Sequence, residues 1–191
     1  MEDKIIRGIE EGIELKEKLK RMAPRIARAA RELIECVKGG GKILICGNGG
    51  SAADSQHIAA ELVGRFRRER RAIPALALTV DTSIITALSN DYSFEVIFAR
   101  QVEALGSPGD VLVMISTSGN SVNVLRAGRT AREKGIKTIA LLGRDGGKIG
   151  SEADLSLIVP AAETARIQEG QMVIYHIICD LVEEAIFENE E

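Results

Sequence analysis

Five short apolar runs constrain this chain most. They lie at Lys42–Cys46, Ala75–Val80, Val111–Ile115, Thr138–Leu142 and Leu155–Val159. Stretches of helical pattern separate them: Ser51–Phe66, Phe94–Leu105, Ser121–Lys134 and a shorter piece after Gly143. Short runs without polar alternation fit strands buried on both faces. Such strands alternating with helices build a parallel sheet with a helical layer on either side.

Longer helices frame that core. Ile5, Ile6, Ile9, Ile13 and Leu19 recur at helical spacing within residues 3–38. Pro24 starts a second helix through Ile26, Ala30, Leu33 and Val37, and Gly39-Gly40-Gly41 ends it. A last amphipathic helix runs from about Ala165 to Phe187. Its Ile167, Met172, Ile174, Ile177, Ile178, Leu181 and Ile186 cover a wider sector than one sheet needs. The same excess at the N-terminus predicts burial against sister chains, with residues 1–38 used in oligomerisation. No repeat, low-complexity tract or linker divides the 191 residues. The expectation is one α/β domain over 1–191, a three-layer sandwich on a five-stranded parallel sheet with long terminal helices.

Charge and composition narrow the partners. A formal charge of −3 argues against wholesale binding to nucleic acid or an anionic membrane surface. No apolar run approaches a membrane span and the acidic N-terminus is no signal peptide, so the expected location is the cytoplasm. Cys36, Cys46 and Cys179 are odd in number and form no CxxC, which reads as buried, reduced thiols. Arg65, Arg67, Arg68, Arg70 and Arg71 form a basic run without an aromatic platform, read as a solvated helix end.

Two loops carry the first functional signal. The first strand runs into Gly47-Asn48-Gly49-Gly50-Ser51 and then directly into a helix. Glycines let the backbone turn sharply and bring N–H groups to a ligand, and the helix start adds partial positive charge. The spacing matches neither GxGxxG nor GxxxxGK[ST], which weakens nucleotide readings. The third strand ends in Ser116-Thr117-Ser118-Gly119-Asn120-Ser121, again opening a helix. Ordinary capping needs one hydroxyl; four make a phosphate cradle without a lysine, suited to a monophosphate on a neutral scaffold such as a sugar. Both loops fall at the carboxyl ends of parallel strands, where open α/β sheets bind ligands.

His57 and Glu61 lie four residues apart on the helix after the first loop and share a face. Such a pair can bind one divalent metal, or its members can hydrogen-bond to each other. Asn90-Asp91, taken alone, reads as a turn.

Four segments then become recognisable together. CGNGGSAADSQHIAAEL, LSNDYSFEVIF, GDVLVMISTSGNS and ARIQEG followed by His176 resemble, in order, the phosphoheptose isomerases (sedoheptulose 7-phosphate isomerases) of the SIS fold. The resemblance covers nearly the whole chain. It implies an enzyme that converts sedoheptulose 7-phosphate to D-glycero-D-manno-heptose 7-phosphate through an enediol. Glu61 and His176 match the family's acid/base pair, and His57, Glu61, Gln168 and His176 match its zinc ligands. Asn48, Gly49, Gly50, Glu61, Asn90, Asp91 and Gln168 match sugar contacts, and Ser116, Thr117, Ser118 and Ser121 match phosphate contacts, with Ser51 supporting either group. Gln171 is a departure, since some relatives carry histidine there.

Spacing adds a problem to this ligand set. Gln168 and His176 are separated by about 12 Å of rise on one helix, too far for one zinc ion. Either Gln168 precedes the regular helix, or the two residues reach a site from different subunits. A homotetramer with shared active sites fits the second answer. Two rivals stand beside the enzyme. One is a non-catalytic binding module like the homologues that associate with a bacterial replication initiator; those homologues lack the carboxylate and histidine kept here as Glu61 and His176. The other is a different SIS activity, such as a hexulose-phosphate isomerase or an amino-sugar phosphate sensor.

Overall fold

A computed structural model describes residues 1–187; residues 188–191, included above in the domain, lie outside the described residues. Strands β1 (Ile43–Gly47), β2 (Ala75–Ala77), β3 (Val111–Ser116), β4 (Lys137–Leu142) and β5 (Leu155–Ile158) form one sheet. Its order is β2-β1-β3-β4-β5, and every neighbouring pair is parallel. The helices are α1 (Glu2–Leu19), α2 (Ala23–Lys38), α3 (Gly50–Val63), α4 (Thr82–Asp91), α5 (Ile97–Leu105), α6 (Val122–Glu133), α7 (Gly147–Glu152) and α8 (Thr164–Phe187).

The uniform apolarity of the strands follows from two cores. Ile43, Ile45, Val111, Val113, Ile139 and Leu141 point to a core completed by α1, α2, α3 and α8. The intervening Leu44, Cys46, Leu112, Met114, Ala140 and Leu142 point to a second core filled by α5, α6 and α7. Because side chains alternate along a strand, burial on both faces favours apolar residues along its length, and buried polar exceptions such as Thr138 and Ser156 are hydrogen-bonded. The three-layer expectation holds.

Two sequence expectations fail locally. The second strand was expected over Ala75–Val80 but ends at Ala77, since it pairs only with β1 and the ladder stops at Leu78 N–H donating to Ile45 O. Asn90-Asp91, read as a turn, closes α4, a helix the periodicity did not announce. Asp81 caps that helix by accepting from Ile84 N at 2.8 Å, and no α4 residue is fully buried, so the apolar signal is faint.

The basic run also differs from its reading. Helix α3 ends at Val63, so Arg65–Arg71 lie beyond it. Within that loop Arg70 is buried: its Nε donates to Glu183 at 3.0 Å, and its terminal nitrogens donate to the carbonyls of Glu61 and Leu62. Glu183 further accepts from the backbone N–H groups of Phe66, Arg67 and Arg68, each at 2.8 Å. Burial raises the pKa of Glu183, but these four donors outweigh it and hold the carboxyl below its ordinary value. The interaction is a strut between α3 and α8.

Helices α1 and α8 close on each other because Gly12 is bare: a Cβ there would lie 2.6 Å from Glu169 Oε1. Arg166 of α8 also donates to Gly8 O at 3.0 Å. That leaves Ile5, Ile6, Ile9 and Ile13 more than half exposed on the other side of α1, along with exposed Met172, Ile177 and Leu181 on α8. All three cysteines are free and buried, with burial pushing the Cys46 thiol up to about 12. Among the described residues, no helix is long and apolar enough to cross a membrane.

Candidate active site

The site forms where the sheet changes direction. From β1 the chain crosses through α3 to β2 on one side, while β3 lies on the other side of β1. The crevice between the carboxyl ends of β1 and β3 is therefore the topological switch point, and both signature loops border it. Asn48 and Asn123 lock them together through reciprocal amide hydrogen bonds of 2.8 Å each way. Gly49 adopts φ 57° and ψ −121°, a conformation open to glycine. Gly50 admits Gln168, whose Nε2 would lie 2.0 Å from any Cβ at that position.

The serine loop uses two of its hydroxyls to brace its own turn, Gly119 N donating to Ser116 Oγ and Asn120 N to Ser118 Oγ, each at 3.2 Å, and keeps that of Ser121 off the helix. Ser121 is the N-cap residue of α6, yet its side chain makes no capping bond. Its Oγ instead faces Ser116 Oγ at 3.1 Å, and Ser118 Oγ lies 3.5 Å from Ser116 Oγ. Capping therefore does not explain the cluster of hydroxyls. The backbone is fixed from behind: Ile149 N donates to Gly119 O at 2.9 Å and Lys148 N to Asn120 Oδ1 at 3.1 Å. Gly119, at φ 66°, would place a Cβ 2.0 Å from Gly146 O. The result gathers three serine hydroxyls at a helix N-terminus, a polarity that suits an anion.

Further along the α3–α8 seam lies a second cluster. His57 Nε2 is 2.9 Å from Glu61 Oε1 and 3.4 Å from His176 Nε2. One ligand atom from each of the three residues falls within 4.8 Å of the others, and all three side chains are half-buried. Burial, reinforced by the neighbouring His57, lowers the His176 pKa, which favours its neutral imidazole. Two imidazoles and a carboxylate form a donor set suited to a divalent metal such as zinc.

Behind His57 stand two residues the sequence reading did not single out. Tyr175 Oη lies 3.1 Å from His57 Nδ1 and 3.3 Å from Asp54 Oδ1. The signal for them was present: Asp54 is three residues before His57 on α3, and Tyr175 adjoins His176.

Some expected residues stand apart within one chain. Gln168 is the fifth residue of regular α8, so the alternative that it precedes the helix is excluded. It lies beside Gly50, about 12 Å of helical rise from His176. Asn90 and Asp91 are exposed and hydrogen-bond to each other at 2.9 Å. Gln171 is fully buried and donates to Leu141 O at 2.9 Å, anchoring α8 to β4.

This architecture defines the class: a parallel α/β domain with a cluster of serine hydroxyls at its switch point. Comparisons give the family. The SIS domain family model matches residues 9–143. A phosphoheptose isomerase of Geobacter sulfurreducens is 58% identical over 188 residues, spanning 98% of this chain and 100% of that protein. The structure of phosphoheptose isomerase from Neisseria gonorrhoeae superposes with a TM-score of 0.91 at 45% identity, covering 96% of this chain and 98% of that one. A phosphoheptose isomerase from Francisella tularensis gives a TM-score of 0.92 at 41% identity, with 95% and 97% covered. The chain belongs to the phosphoheptose isomerase family of SIS-domain proteins, and it is an isomerase.

Proposed function

We propose that the protein isomerises sedoheptulose 7-phosphate to D-glycero-D-manno-heptose 7-phosphate, in the cytoplasm, through an enediol. The observation that carries this reading is that one chain holds both a cluster of serine hydroxyls at a helix N-terminus and a His–Glu–His cluster on the adjoining helix seam. Ser116, Thr117, Ser118 and Ser121 hold the phosphate, with the α6 N-terminus supplying complementary partial charge. Asn48, Gly49, Gly50, Ser51, Glu61, Asn90, Asp91 and Gln168 contact the sugar.

The reaction moves a proton from the hydroxymethyl carbon to the former carbonyl carbon, while hydroxyl protons redistribute between the two oxygens. Glu61 and His176 accept and return these protons. His57, Glu61 and His176 would hold a zinc ion, with Gln168 of a neighbouring subunit as the fourth ligand. When bound, zinc supplies Lewis-acid polarisation of the sugar's carbonyl and hydroxyl oxygens. The exposed isoleucines of α1 and the apolar stripe of α8 support a homotetramer packed through its terminal helices.

Purified protein assayed against a panel of ketose phosphates in deuterated water tests the proposal. Expected are turnover of sedoheptulose 7-phosphate, deuterium at the carbon next to the carbonyl, loss of rate on chelation and its return with zinc. No turnover on any ketose phosphate, with or without zinc, would overturn the substrate reading and favour a binding module. A fully active monomer by light scattering would sink the shared site.

A further inference from the structure

Tyr175 carries one hydroxyl proton and stands between two groups that compete for it. On one side is Asp54 Oδ1 at 3.3 Å, on the other His57 Nδ1 at 3.1 Å. Tyr175 and Asp54 are both buried, and the other Asp54 oxygen, Oδ2, has no hydrogen-bond partner among the described residues. Burial raises the Asp54 pKa against the hydrogen bond from Tyr175, yet at the mildly alkaline pH used below the carboxyl is ionised and accepts only. If Tyr175 gave its proton to His57, Asp54 would be left as a buried acceptor with no donor on either oxygen. Leaving a buried charged group unsatisfied costs more than orphaning a neutral polar group.

Glu61 is in a different position. Its side chain is 22% exposed and lies near His176 as well as His57. Water or a cation can therefore satisfy Glu61, and a proton or cation shared with His57 Nε2 offsets their 2.9 Å approach, whereas among the described residues Asp54 has Tyr175 alone. The hydroxyl proton goes to Asp54, and the Tyr175 oxygen can then only accept.

We infer that Asp54 and Tyr175 are positioning residues that keep the proton of His57 on Nδ1, so that Nε2 points its lone pair into the cluster with Glu61 and His176. A ligating histidine held through its other ring nitrogen is fixed in orientation as well as in tautomer. The inference deepens the proposed metal reading of the site, on which its consequence for affinity rests.

The chain has two histidines, so nitrogen-15 labelling of histidine gives a spectrum of two rings. The His176→Gln variant leaves His57 alone and assigns it. In metal-free wild-type protein at mildly alkaline pH, the His57 proton is expected on Nδ1. In Tyr175→Phe the ring loses that constraint, and Nε2 is expected to carry the proton and donate it to Glu61. Competition with a chromogenic chelator should show zinc binding about 10–100-fold weaker in Tyr175→Phe and in Asp54→Ala. A wild-type His57 with its proton on Nε2 alone overturns the inference. So does a folded Tyr175→Phe variant with unchanged tautomer and zinc affinity. Should that variant fail to fold, the wild-type spectrum still decides. Should wild-type protein bind no zinc, the metal reading falls, while the tautomer still tests the positioning role.

Discussion

Glu61 and Glu183 are both carboxylates on the seam between α3 and α8, and they are held in opposite ways. Glu183 accepts four hydrogen bonds in a fully buried pocket, from three backbone N–H groups and Arg70. Glu61 faces His57 at 2.9 Å and is partly open to solvent. Arg70 touches both neighbourhoods, bonding the Glu183 side chain and the Glu61 carbonyl. A carboxylate whose acceptor capacity is filled is structural. One left short of donors, beside a neutral histidine, is available to protons, metal and substrate.

The comparison breaks most visibly at Glu61. Glu61→Gln keeps size and polarity but removes the proton acceptor, and turnover should fall about 10²–10⁴-fold with little change in the urea midpoint. Full activity in this variant would show that another group is the base. Glu183→Ala should do the reverse. Stranding Arg70 and three N–H groups should cost about 3–5 kcal/mol of stability, read from urea unfolding, while turnover by the surviving folded fraction persists. Equal stability would make the strut dispensable.

The serine loop sharpens the contrast with a smaller effect. Ser118→Ala should weaken phosphate binding by about 1.5–3 kcal/mol, seen in KM with a lesser loss in kcat, and leave folding intact. Unchanged kinetics in Ser118→Ala and Ser121→Ala together would move the anion elsewhere. The smallest effect concerns acid. The depressed pKa of Glu183 makes its stabilisation fully present above the ordinary glutamate value, about 4.3, and lost as pH falls through the folded value. Glu183→Gln should lack that acid-dependent component when urea midpoints are compared across pH; an identical acid limb would assign it to other carboxylates.

Much of this was legible from residue order. Five apolar runs dictated the strands, because a strand covered on both faces is predominantly apolar; the edge run of β2 is partly exposed. The glycine and serine loops and the His57–Glu61 pair were readable because short-range geometry on one turn or one helix places them. Helix α4 was not, since its apolar face is shallow and its cap, Asp81, resembles any loop aspartate. The role of Arg70 was hidden for a related reason: a charge that is buried by a partner 113 residues away looks like its solvated neighbours.

By itself the sequence determined local conformation and the inventory of chemistry, since these depend on spacing along one element. Tertiary structure alone decided which groups share an environment. It brought His176 to His57 across 119 residues, set Gln168 beside Gly50 rather than beside His176, and placed Tyr175 between Asp54 and His57. Those outcomes depend on how α3 and α8 pack on the sheet, where a rotation of one helix by one residue would turn these side chains about 100° away from each other.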